Sequence, residues 1–174
     1  MGYCNVRHTR KDLHNQIDTT RRSLIVDSNA ESSIAYFFAK SETNPGFFFI
    51  YTVDDENRLC NLFWPDSKSQ DDFHFFGDVI AFDSTYRTNV YKKPFIIFVG
   101  TNHHWKTIVF GFGLLIGETV EKYTWLLETF LLAMEGKKPK SIITDGDKAM
   151  RKALKKVMLE SVLRLCCWHL ERNA

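Results

Sequence analysis

Two short apolar runs each end on an acid: Val79 to Phe82 leads into Asp83, and Ser141 to Thr144 leads into Asp145 and then Gly146. Runs of this length and composition read as buried strands, and an ionised carboxylate at the end of one is costly unless it is bonded or paired. Carboxylates that converge from neighbouring strand ends can hold a divalent cation for phosphodiester chemistry. The pattern therefore constrains topology. The two strands must lie parallel in one sheet, with matching ends, for Asp83 and Asp145 to share an edge.

The surrounding segments predict the rest of such a sheet. Asp78 to Asp83, Pro94 to Asn102 and Lys106 to Ile116 are three consecutive strands with short links, which favours an antiparallel meander. A helix follows over Glu118 to Glu135, where Tyr123, Leu126, Leu127, Phe130, Leu131 and Met134 recur every three or four residues; Gly136 ends it. Lys140 to Thr144 is a fourth strand. Asp147 is placed to cap a helix whose buried side is Met150, Ala153, Leu154, Val157 and Met158, and Val162 to Cys167 reads as a fifth strand. The order is β-β-β-α-β-α-β, an α/β mixed sheet with helices across it.

Upstream, Ser28 to Ala39 suggests a short helix closed by Asn44-Pro45-Gly46. Phe47 to Val53 and Arg58 to Trp64 flank the carboxylate-rich turn Asp54 to Asn57 and read as a hairpin, with Pro65 opening a helix through Ser67 to Phe76. The aromatic runs at 47–51 and 73–76 are most simply absorbed by buried strands. Residues 1–27 form a polar, basic tail, and no Gly/Ser linker separates the segment 28–76 from 77–174, so one compact body is expected.

A net charge of +2 says little about partners, but its distribution is uneven. His8, Arg10, Lys11, Arg21 and Arg22 make the tail basic, and Lys148, Arg151, Lys152, Lys155 and Lys156 crowd the last helix; either group could meet phosphate or simply be solvated. Cys4, Cys60, Cys166 and Cys167 lack the spacing of a disulfide framework, and residues 1–22 are polar rather than an apolar leader, which fits a reducing compartment. Apolar stretches are broken by Gly, His or charge well short of the roughly 20 residues a membrane span needs.

With that order in place, the chain resembles the catalytic-core region of Mutator-like element transposases, and more closely their plant descendants, the far-red-impaired-response family of transcriptional regulators. The resemblance runs through RLCNLFWPD at 58–66, GDVIAFDSTYRTNVYKKPF at 77–95, FVGTNHH at 98–104, GETVEKYTWLLETFLLAM at 117–134, PKSIITDGDKAMRKAL at 139–154 and RLCCWHLERNA at 164–174. It implies a ribonuclease-H-like fold for 77–174, to which the order of elements adds 28–76 as an accessory helix, hairpin and helix. It also implies that Asp83 and Asp145 match the first two of three metal-binding acids, the third lying on a helix beyond Ala174. Magnesium or manganese belongs to the intact homologous site, and zinc to family domains outside this chain.

On this basis the expected role is that of a transposase-derived, DNA-associated transcriptional regulator in the nucleus. The core alone, truncated and short of one acid, is expected to be catalytically incomplete. Two alternatives stand beside this: part of an active metal-dependent DNA transposase, and a dimerisation or interaction scaffold. The candidate metal ligands are Asp83 and Asp145, with Cys166 and His169 as a C-x-x-H pair for zinc or support of the core. Candidate DNA contacts are Arg87, Lys148, Arg151 and Lys152, and one of His103 and His104 is expected to face the first acid. Each acid also has a structural reading: Asp83 can accept hydrogen bonds from its own turn, and Asp145 can form an Asp-Gly turn.

Overall fold

Alternating apolar side chains assemble into a mixed sheet in the order β1-β2-β5-β4-β3-β6-β7. The strands are β1 (Ile50–Val53), β2 (Leu59–Trp64), β3 (Val79–Thr85), β4 (Phe95–Thr101), β5 (Thr107–Leu114), β6 (Ser141–Thr144) and β7 (Val162–Leu165). The helices are α1 (Ser28–Thr43), α2 (Ser69–Phe76), α3 (Val120–Ala133) and α4 (Lys148–Val157). This computed structural model describes residues 28–44, 46–66, 68–85, 93–167 and 171. The predicted basic tail lies outside them.

Strands β3, β4 and β5 form the expected antiparallel meander, while β6 joins β3, and β7 joins β6, in parallel. The parallel joins need crossovers, which α3 and α4 supply. From β5 to β7, this is the strand order of a ribonuclease-H-like core. The hairpin β1-β2 is no separate appendage: Leu62, Phe63 and Trp64 pair with Leu114, Gly113 and Phe112 of β5, so the sheet runs without a break across the two predicted segments.

The helix-covered face is an aromatic core. Phe130 of α3 stacks on Phe98 of β4 at 4.3 Å, and Phe73 of α2 meets Phe110 and Phe130 edge-on at 5.0 and 5.2 Å. Close approach of α3 to β5 requires Gly113, where an added Cβ would sit 2.5 Å from Leu126 Cδ1. A second cluster joins α1 to the hairpin through Phe37, Phe38, Phe47, Phe49 and Leu62. Between the clusters, buried Asn61 donates to Thr52 Oγ1 at 2.8 Å and accepts from the Ile116 amide at 3.2 Å, which satisfies its amide and ties the hairpin to the end of β5.

Strand absorption of the 73–76 aromatics is corrected by the structure. These residues close α2, so helical spacing turns Phe73 inward and leaves Phe75 73% exposed. No helix among the described residues is long and apolar enough to cross a membrane.

Candidate functional site at the strand ends

The parallel ladder between β3 and β6 pairs Val79 with Ser141, Ile80 with Ile142 and Ala81 with Ile143. Two rungs further along the same register stand Asp83 and Asp145. Neighbouring strands are about 4.8 Å apart, so the two acidic positions share one edge of the sheet. On its other side Asp83 lies opposite Ile97 of β4. The β6-β7 ladder ends by pairing Thr144 with Leu165, and the Cys166 amide then donates to Thr144 O at 2.8 Å. Half-buried Cys166 is thereby brought to the same edge as the acids.

Local chemistry shapes the Asp145-Gly146-Asp147 corner. Gly146 has φ of +90°, where an L side chain is strained, and a Cβ there would also lie 2.6 Å from Leu165 Cδ2. Asp145 Oδ1 accepts the Asp147 amide at 3.0 Å, which closes an Asx turn. Asp147 Oδ1 accepts the Met150 amide at 2.7 Å and caps α4 as predicted. Asp147 is thus a helix cap, whereas Asp145 combines a turn role with a place beside the first acid.

A polar group beneath the same strand ends escaped the sequence reading. Tyr123, assigned only to the apolar stripe of α3, is fully buried, and its phenol donates to Glu118 Oε1 at 3.3 Å. Burial pushes that phenol well above its ordinary range, and the Glu118 charge adds to the effect; Ser84 and Asp147 stand close by. The only available signal was a tyrosine within an otherwise apolar stripe, since a buried phenol needs a partner.

The histidine expectation is overturned. Antiparallel pairing of β3 with β4 puts the 102–106 turn beyond the Val79 end of β3, opposite the Asp83 end, so neither histidine faces the first acid. His103 instead stacks on Phe76 at 5.7 Å and lies 3.9 Å from the His104 ring. Arg87 and His169 lie outside the described residues, as does any zinc geometry for the C-x-x-H pair. Lys148, Arg151 and Lys152 are exposed on α4, whose opposite side buries Met150, Ala153 and Leu154.

Similarity to known proteins follows the same stretch of chain. Protein FAR1-RELATED SEQUENCE 4 of Arabidopsis thaliana is 38% identical over 157 residues, covering 90% of this chain and 21% of that protein. Protein FAR-RED IMPAIRED RESPONSE 1 of the same plant is 35% identical over 169 residues, covering 97% of this chain and 20% of its own length. Protein FAR1-RELATED SEQUENCE 6, also from Arabidopsis thaliana, is 40% identical over 138 residues, covering 79% and 20%. The chain spans about a fifth of the length of these curated relatives. No solved structure matches it significantly. The family model for the MULE transposase domain matches residues 79–173, from the first residue of β3 to beyond β7 and across both strand-end acids, and the chain belongs to that family.

Proposed function

We propose that this chain is the ribonuclease-H-like core of a transposase-derived, DNA-associated transcriptional regulator that acts in the nucleus. Kinship with the far-red-impaired-response proteins supports the regulatory role. The observation that carries the mechanistic ancestry is the parallel join of β3 to β6, whose register sets the two acidic positions side by side.

Hard carboxylate donors at adjacent strand ends suit magnesium or manganese. Asp83 and Asp145 are the residues that would hold such an ion, which when bound activates an oxygen nucleophile toward a phosphodiester. One oxygen of Asp145 already accepts the Asp147 amide, so the corner is pre-ordered with its other oxygen left to the site. The retained acid pair also supports a second reading, in which the core belongs to an active metal-dependent transposase.

The test uses the intact protein, with Asp83→Asn and Asp145→Asn made singly and together. The regulator reading expects unchanged promoter occupancy and reporter output, with no magnesium-dependent nicking of DNA. Nicking that both substitutions abolish establishes the transposase reading instead. An intact protein that neither occupies DNA nor nicks it, yet forms a defined complex indifferent to both changes, supports an interaction scaffold.

A further inference from the structure

Helix α4 carries Lys148, Arg151, Lys152, Lys155 and Lys156 on one exposed side, with Met150, Ala153 and Leu154 wholly buried on the other. At 1.5 Å per residue, the five cations form two rows, Lys148-Lys152-Lys156 about 12 Å long and Arg151-Lys155 about 6 Å long, with neighbours in a row about 6 Å apart. None pairs with a described acid. Asp147 spends its carboxylate on the cap, and Glu160, just past the helix, meets Lys138 at 3.8 Å.

Helix stability does not account for this arrangement. Lys155 and Lys156 in the last turn suit the helix dipole, but Lys148 and Arg151 sit toward the amino end, where acids are favoured, and the first turn holds none. Like charges at i and i+4 also repel. An accumulation of cations that the isolated helix disfavours calls for an anionic partner.

We propose that the outer face of α4 docks on the phosphate backbone of duplex DNA without reading its sequence. This rests on the DNA-associated reading above and gives this core a contact of its own. A duplex offers a charge about every 1.7 Å of its axis, a repeating array that two rows of cations can follow. The apolar side of α4 is consumed by the core, so nothing remains for insertion into a lipid surface. The helix begins directly after the Asp145 corner, which brings a bound backbone toward the acidic edge of the sheet.

The experiment measures binding of the intact protein to labelled duplexes of two unrelated sequences between about 50 and 200 mM salt, the range over which counterion release is well resolved. Replacing Lys148, Arg151 and Lys152 together by Gln is expected to lower affinity about 10²-fold at physiological salt. The slope of log K against log salt should become shallower by about 2.7, at about 0.9 for each phosphate no longer neutralised. Both changes should be alike for the two sequences. Lys152→Gln alone should remove about 0.9 from the slope, which keeps the test open if the triple variant folds poorly. Lys148→Arg with Lys152→Arg should bind as the parent does, and equal charge removal at Lys68, Lys106 and Lys138 should leave the slope unchanged.

If the parent binds DNA and the triple Gln variant keeps its affinity and slope, the α4 proposal is overturned while the DNA-associated reading stands. If the parent binds no duplex at any salt, both fall. A triple variant that loses binding to polyglutamate or phosphatidylserine vesicles, but not to duplex, overturns the proposal in favour of those partners.

Discussion

On the helix-covered face of the sheet Phe63, Ile80, Ile96, Phe98 and Phe110 are wholly buried, whereas on the opposite face Ile97, Val99 and Ile143 are only half-buried and Val79 and Val162 are 50% and 47% exposed. The opposite face is sealed at its hairpin end, where α1 lays Phe37 against Phe49 and Trp64 at 5.5 and 5.0 Å. Stability is therefore concentrated where α3 meets the sheet. The acidic edge stands outside that concentration, so changes there should register in chemistry or binding, and changes at Phe130 in folding.

The largest effect tests the packing half of this contrast. Phe130→Ala removes the ring stacked on Phe98 and should cost about 3–5 kcal/mol of unfolding free energy, read from urea denaturation. Phe37→Ala, made in the 8% exposed ring of the hairpin-side cluster, should cost about 2–3 kcal/mol. Equal losses would show that the two faces share the load.

A smaller effect separates the two acids of the α4 corner. Asp147→Ala deletes the cap and should cost about 1 kcal/mol. Asp145→Asn keeps an oxygen for the Asp147 amide and should stay within about 0.5 kcal/mol by the same measurement. The reverse ranking would make Asp145 the structural residue and remove its separation from the cap.

The smallest effect concerns the far end of β3. Lys140, donating to Asp78 at 2.6 Å, holds that carboxyl below its ordinary 3.8; partial burial opposes the shift and Lys137 reinforces it. The lowered folded value means that this contribution is present above the ordinary pKa and is lost as pH falls through the folded one. Asp78→Asn should flatten the acid limb of the stability curve below about pH 4, by a few tenths of a kcal/mol, because the pair is largely solvated. A larger change would place this end of the sheet among the main supports of the fold.

Much of the local structure was legible in the sequence, for reasons that differ by element. The α3 stripe follows from helical periodicity, the 54–58 loop forms because Asp54 accepts the Glu56 and Arg58 amides, and the α4 cap follows from an aspartate three residues before Met150. Each depends on neighbours within one or two turns of chain. The addition of β2 to β5 was not legible, because backbone groups on any two strands are chemically alike and only packing selects the partner. The same limit misplaced His103 and His104 and hid the bond from Tyr123 to Glu118, since neither the end of the sheet nor the neighbourhood of a buried phenol is written in local spacing.

What the sequence by itself determined about this protein is the set of elements and the fact that two strands end on acids, because periodicity, caps and turns act over a few residues. Only the tertiary structure decided that β3 and β6 lie parallel in one register and that the hairpin belongs to the same sheet. Those outcomes depend on which apolar faces can be buried together, a property of the assembled chain rather than of any segment of it.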